Sequence, residues 1–230
     1  MARAQKKLTK KDLRQDPLMK AVSEAQEVVQ VHGRKIGIGT AFLVVVILAV
    51  LLFASMRNSA NREALIAVAQ ARQSYMTSSI DSARVDLQAI VDRYKGTQGG
   101  GEALFSLAEI ALMERRFEDA LDLYRQFIKR YHIDPLLKLA AMEGEATVLE
   151  DLGRFEEAAE KYDRLAKEDG FGYVVPLALY HAGRCYASLG KMDLARERYR
   201  KVVEEYKDAP IRADAERELV HTEILKDLEG

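Results

Sequence analysis

The sequence predicts an all-α protein in which a single N-terminal transmembrane helix is followed by a solenoid of helical hairpins. Three observations carry that expectation. Residues 36–54 hold no charge and, apart from Thr40, no strongly polar side chain, and at about 1.5 Å of rise per residue they match a hydrocarbon core roughly 30 Å thick. Ala83, Ala120, Ala158 and Ala195 stand 37, 38 and 37 residues apart in segments that align with one another. Helix-breaking residues gather only between those segments, in the glycine run of 96–101 and at Pro135, Pro176 and Pro210.

The first segment, 1–35, reads as a basic cytoplasmic tail containing an amphipathic helix. Asp16 is placed to cap a helix whose first residue is Pro17, a pairing that suits both residues. Leu18, Val22, Ala25 and Val29 then form one apolar stripe, and Gly33 is expected to end the helix. Such a helix either lies on the inner leaflet with its bases among the headgroups or docks on a membrane-complex subunit. Gly33 and Gly37 share a GxxxG spacing, but it straddles the membrane boundary and carries little weight as a dimer seam.

The transmembrane helix is expected over 36–56. Nine bases and four acids precede the apolar run, while Arg57 and Arg62 are the only bases close behind it, so the positive-inside bias places the N-terminus in the cytoplasm and the rest of the chain outside. A cleaved secretory signal normally has a short charged segment and an apolar stretch of about seven to fifteen residues. The long leading segment and longer apolar run here favour an uncleaved anchor. After the membrane run come 26 bases and 32 acids, and a mildly acidic exported domain lacks the electrostatic footprint of a nucleic-acid binder. Cys185 is the only cysteine, so the domain over 57–230 must hold together without an internal disulfide.

Within that domain the repeat is legible position by position. Four residues after the aligned alanines stand Leu87, Tyr124, Tyr162 and Tyr199, and seven further on Tyr94, Tyr131, Asp169 and Tyr206; five before them stand Ser78, Arg115, Gly153 and Gly190. A glycine or polar residue there predicts a tight turn between two helices. Leu104, Leu107, Ala108 and Ala111 recur at helical spacing before one such turn, and Ala120, Tyr124 and Phe127 after it. Gly99, Gly100 and Gly101 read as a flexible connector between repeats. One hairpin cannot bury its apolar face alone, whereas stacked neighbours share a continuous core. A final helix over 211–228, with Ala213, Ala215, Leu219 and Leu225 on one side, is placed to cap the last repeat.

No catalytic, cofactor-binding or metal-binding set emerges, and the chain reads as a non-enzyme without a small-molecule substrate. His181 and Cys185 lie four apart on one helix, but two ligands do not make a zinc site, which wants four or three plus water. They read as a groove-facing histidine and a packed cysteine. Glu143, Glu145, Glu150 and Asp151 read as a solvated charged face, because paired-carboxylate chemistry needs an enclosed pocket. The glycine run lacks the Gly-Lys-Ser/Thr of a phosphate loop.

The small residue, turn glycine, alanine and aromatic of each unit resemble the tetratricopeptide repeat. Gly183, Tyr186, Gly190, Ala195 and Tyr199 fit best; Ala146, Gly153, Ala158 and Tyr162 come next, then Ala108, Ala120 and Tyr124 with Arg115 at the turn, and finally Ala71 and Ala83 in a degenerate first unit. The resemblance implies about three to four repeats plus the capping helix, a protein-binding function, and a concave groove lined by the first helix of each pair. Family positions facing that groove fall on Val68, Arg72 and Tyr75, on Phe105 and Glu109, on Glu143 and Thr147, and on Tyr180 and Arg184. The lysine and asparagine of the family's carboxylate clamp are absent from the sites of Phe105, Glu109, Glu143 and Thr147.

The lysine-rich start, the segment DPLMKAVSEAQEVVQVHGRKIG, the anchor and the exported repeats are together similar to a bacterial membrane-anchored family that includes the ancillary subunit of the Sec translocon. That likeness implies a single-pass protein of the bacterial inner membrane with a periplasmic repeat domain. Its implied partners are translocon subunits, periplasmic chaperones or exported chains. A structural scaffold of a cell-envelope complex, for cell division or outer-membrane assembly, is the alternative.

Overall fold

The computed structural model describes residues 17–77, 79–131, 134–168 and 172–229. Their regular structure is helical: α1 (Pro17–Thr77), α2 (Ile80–Arg93), α3 (Gln98–Met113), α4 (Phe117–Arg130), α5 (Pro135–Asp151), α6 (Phe155–Leu165), α7 (Val174–Ser188), α8 (Met192–Glu205) and α9 (Arg212–Glu229). The chain forms two compact units, Met1–Arg57 and Asn58–Gly230.

In the first unit, Gly33 does not end a helix, because α1 runs unbroken past it. An isolated glycine costs only about 1 kcal/mol in a helix interior, and the apolar residues beyond it contain no stop signal. Asp16 and the side chains of Leu18, Ala25 and Val29 lie outside the described residues. Gly33–Tyr75 contains a stretch long and apolar enough to cross a membrane by length and composition, and none of that stretch is buried. A secretory signal meets the same criteria.

The second unit is a stack of antiparallel helices, each packed on the next from α2 to α9, around one long core with a smaller cluster of Leu139, Leu165, Val174 and Ala178 beside it. The alanines found by the repeat register sit where helices touch: Ala83, Ala120, Ala158 and Ala195 are all fully buried. Leu87, Tyr124, Tyr162 and Tyr199, one turn later, are also buried. The large tyrosines need small residues opposite them. A Cβ added at Gly183 would come within 2.5 Å of the Tyr199 ring, and one at Gly144 would strike the Tyr124 ring.

The hairpin turns repeat in atomic detail. Arg115, Gly153 and Gly190 all have positive φ, at 58°, 73° and 71°. In each turn that residue's N–H bonds back to Leu112, Glu150 or Ala187, and the next N–H bonds to Ala111, Leu149 or Tyr186. These paired bonds are a Schellman motif, which satisfies carbonyls left open at the helix end. Ser78, the corresponding residue of the first unit, lies outside the described residues, as does Asp169. The helix after that first turn is instead capped by Ser79, whose Oγ accepts from the Ser82 N–H at 3.1 Å.

Two expectations need correction here. Gly99, Gly100 and Gly101 are a buried first turn of α3 rather than a flexible connector. Thr97 caps them through Oγ1 at 3.1 Å from the Gly100 N–H, and Asn61 of α1 accepts from the Gly99 N–H at 3.1 Å. A Cβ at Gly99 would lie 2.5 Å from the Ala64 Cβ, so the absent side chain lets two backbones approach. At the far end, α9 packs through Ala215 and Thr222, with Leu219 half-buried against the core, whereas Ala213 is exposed. The buried Arg196 ties that cap down by donating from Nη1 to the Thr222 carbonyl at 2.8 Å. The Leu225 side chain lies outside the described residues.

Candidate functional site

Along the groove, the first helices of successive hairpins (the C-terminal part of α1, then α3, α5 and α7) supply the residues expected to face a partner. Arg72, Tyr75, Glu109 and Arg184 are exposed, and Glu143, Thr147 and Tyr180 are half-buried. Val68 and Phe105 belong to the core instead, at 2% and 7% exposure. Phe105 packs edge-on against Tyr124 and Phe127, with ring centroids 5.9 and 5.8 Å away. Four residues advance a helix about 40° beyond a full turn, which rotates Val68 and Phe105 inward while Arg72 and Glu109 stay on the surface.

At the α1–α3 end the groove deepens into a pocket of about 260 Å³. Ala71, Tyr75, Leu87, Ile110 and Met113 form its apolar wall, and Arg72, Ser106 and Glu109 its polar edge. Arg72 is steered by Ser106, whose Oγ accepts from Nε at 3.3 Å and Nη2 at 3.1 Å. The Tyr75 hydroxyl points at the Met113 sulfur, 3.6 Å away. Met113 is nevertheless 57% exposed, so an apolar, adaptable side chain stands at the pocket mouth. Ser106, Ile110 and Met113 were not among the expected groove residues. Their signal was present in the spacing, since 106, 109, 110 and 113 fall on one helical stripe.

Glu109, at the pocket edge, and Glu143, on α5, have neither a hydrogen bond nor an ion pair among the described residues. Partial burial raises the pKa of each above the usual carboxylate value; nearby Arg72 opposes the shift for Glu109. Both act through space on the Tyr124 hydroxyl, whose pKa is raised first by its own burial.

Further along, the charges satisfy one another. Glu145, expected in a solvated face, is 2% exposed and is held by Arg125 at 3.0 Å and Lys161 at 2.7 Å. Glu150 pairs with Arg184 at 3.0 Å and accepts from the Tyr162 hydroxyl at 3.3 Å, which also lies 3.1 Å from the Thr147 Oγ1. His181 stacks on Tyr162 with centroids 5.1 Å apart, and Tyr180 meets it edge-on at 5.6 Å. Burial, with help from Arg184, pulls His181 down to about 4, so near neutral pH its contact with Glu150 is not an ion pair. Cys185 is fully buried, and burial pushes its thiol up to about 12, the condition of an inert packed cysteine. Among the described residues no three His, Cys, Asp or Glu side chains are grouped to hold a metal.

Stacked hairpins, each packed on the next through buried alanines and tyrosines, define a helical-repeat protein. The tetratricopeptide repeat family matches residues 68–135 and 144–210, more than half of the chain, and the chain belongs to that family. Its solved relatives agree in fold. A tetratricopeptide repeat protein from Parabacteroides merdae superposes with a TM-score of 0.59 at 18% identity, covering 74% of this chain and 62% of that one. The nearly identical TPR-like repeats of a candidate kinesin light chain from Podosopora anserina give 0.53 at 17% identity, covering 68% and 82%. A double mutant of MamA RS-1 gives 0.50 at 14% identity, covering 71% and 96%. No curated protein matches the sequence. Such repeats are protein-interaction modules, and at these identities the structural likeness speaks for the fold alone.

Proposed function

We propose that this chain is a membrane-anchored protein-interaction module whose groove receives a segment of a partner polypeptide. The observation that carries the reading is the pocket between α1 and α3: an apolar recess with a polar edge, open to solvent, on the face where the family's first helices line a groove. The apolar stretch of α1 supports a single-pass anchor. The basic residues before it support a cytoplasmic N-terminus, and hence a periplasmic repeat domain in a bacterial inner membrane. On this topology the favoured role is an accessory, chaperone-like factor at the Sec translocon that acts on exported proteins.

The test is photo-crosslinking in intact cells from a benzoylphenylalanine placed at Tyr75, in the wall of that pocket, with captured proteins identified by mass spectrometry. Translocon subunits, periplasmic chaperones and a spread of exported chains are the expected products. Capture of one folded envelope protein without exported chains overturns the client-handling role and makes the protein a scaffold of an envelope complex.

A further inference from the structure

The charges that line the groove are not left equally available. Arg72 is engaged by Ser106 and Arg184 by Glu150, so the two groove cations already have partners inside the fold. Glu145, Glu150 and Asp163 likewise each have a lysine or arginine of their own. Glu109 and Glu143 do not, and they occupy neighbouring first helices, α3 and α5. Glu109 also edges the apolar pocket. A partner entering the groove therefore meets an apolar recess and, next to it, two negative charges without an ion pair, Glu109 feeling Arg72 only through space.

Building on the groove-binding role proposed above, we infer that the partner is a polypeptide segment with an apolar side chain followed by a lysine or arginine, the first seated in the α1–α3 pocket and the second between Glu109 and Glu143. Packed helices lie about 8–10 Å apart, and an extended chain covers that distance in about three residues at roughly 3.3 Å each. The expected pattern is thus an apolar residue with a basic one about three positions away. The leucine, isoleucine, tyrosine and methionine of the wall accept a branched aliphatic or aromatic side chain, and Met113 can adjust to either. A basic side chain between the two carboxylates can form charge-assisted hydrogen bonds with both. An acidic residue at the same place would be opposed by both. The inference therefore predicts selectivity as well as affinity.

The experiment uses the full chain in lipid nanodiscs and a display library of random twelve-residue peptides. Selection is run in parallel against the wild type, Glu109→Gln/Glu143→Gln and Met113→Lys, with circular dichroism confirming that each variant is folded. The expected result is at least fivefold enrichment of lysine or arginine about three residues from a large apolar residue. That enrichment should vanish with the double glutamine variant, while the apolar preference persists, and Met113→Lys should lower binding of the selected peptides at least tenfold. Enrichment of neutral or acidic peptides that are still lost with Met113→Lys overturns the charge inference and leaves the groove role standing. Selected peptides that bind Met113→Lys as well as wild type overturn both. A stable dimer by light scattering, with peptide binding that grows on dilution, assigns the pocket to a second copy of the chain and also overturns the inference.

Discussion

The two ends of the groove differ in how they use charge. Between α5 and α9, several buried or half-buried charges are tied to the fold: Glu145 to Arg125 and Lys161, Glu150 to Arg184, and Arg196 to Thr222. Arg198 grips Asp163 through two bonds of 2.8 and 2.9 Å, and Tyr186 donates to the same carboxylate at 2.9 Å. Between α1 and α5 the surface is left open, with an exposed Met113, a partly exposed Tyr75 and the unpaired Glu109 and Glu143. Unpaired groups cost stability, so acids left without an ion pair on the face that carries the pocket fit a surface kept for a partner rather than for the fold.

Removing one aromatic from each end should have the largest and most unequal effects. Tyr162→Ala should destabilise the protein by about 4 kcal/mol, because it opens a cavity in a fully packed site and strands the Thr147 and Glu150 partners. Tyr75→Ala should change stability by less than about 0.5 kcal/mol, as surface substitutions usually do, yet weaken partner binding. Thermal and urea denaturation measure the first effect, and binding assays the second. Equal stability losses would erase the distinction.

Acid titration probes the closed end. His181 has a folded pKa of about 4, below its ordinary value, so the unfolded chain binds the proton more readily. The contribution of neutral His181 is complete above about pH 6.5 and is lost as pH falls toward 4. Wild type should therefore lose on the order of 2 kcal/mol more than His181→Phe across that window. Parallel slopes in pH-dependent unfolding would show that the histidine is not held neutral by the fold.

Smaller effects separate the turns and the acids. Gly153 and Gly190 occupy their left-handed turn positions without a side-chain penalty, whereas Arg115 pays one at φ 58°. Arg115→Gly should stabilise by about 0.5–1 kcal/mol, the lost stacking of its guanidinium over Phe117 offsetting part of the backbone gain. Glu109 and Glu143 have raised folded pKa values, so their charge opposes folding at neutral pH and the opposition fades as they protonate. Glu109→Gln/Glu143→Gln should thus gain a few tenths of a kcal/mol at pH 7, with solvent screening keeping the gain small. A loss in that double variant would mean that the carboxylates serve the fold after all.

Much of this architecture could be read from residue types at fixed spacing. The alanine and tyrosine register predicts what is buried, and even Arg115, standing in a glycine position, takes the backbone conformation that the register demands. Where reading failed, one residue type had two physical uses. Glycines 99–101 look like a linker because glycine is flexible, yet here it is chosen for smallness, allowing α3 to approach Ala64. Gly33 looks like a helix stop, but a stop needs a capping motif that the following apolar residues do not supply. Glu145 looks solvated until Arg125 and Lys161, 20 and 16 positions away in sequence, are brought onto it. The groove was partly legible: the helices that line it followed from the repeat, whereas the pocket depends on how α1, α2 and α3 close around Leu87 and Met113, which no local pattern states.

Paired crosslinking in intact cells shows whether the open end of the groove is a contact surface. Benzoylphenylalanine is placed at Tyr75 in the pocket and, separately, at Val85 on α2, which is 66% exposed and does not line the pocket. Discrete protein adducts that disappear with Met113→Lys are expected from Tyr75, and none from Val85. Equal adducts from both positions, or adducts from Tyr75 that survive Met113→Lys, would contradict that expectation.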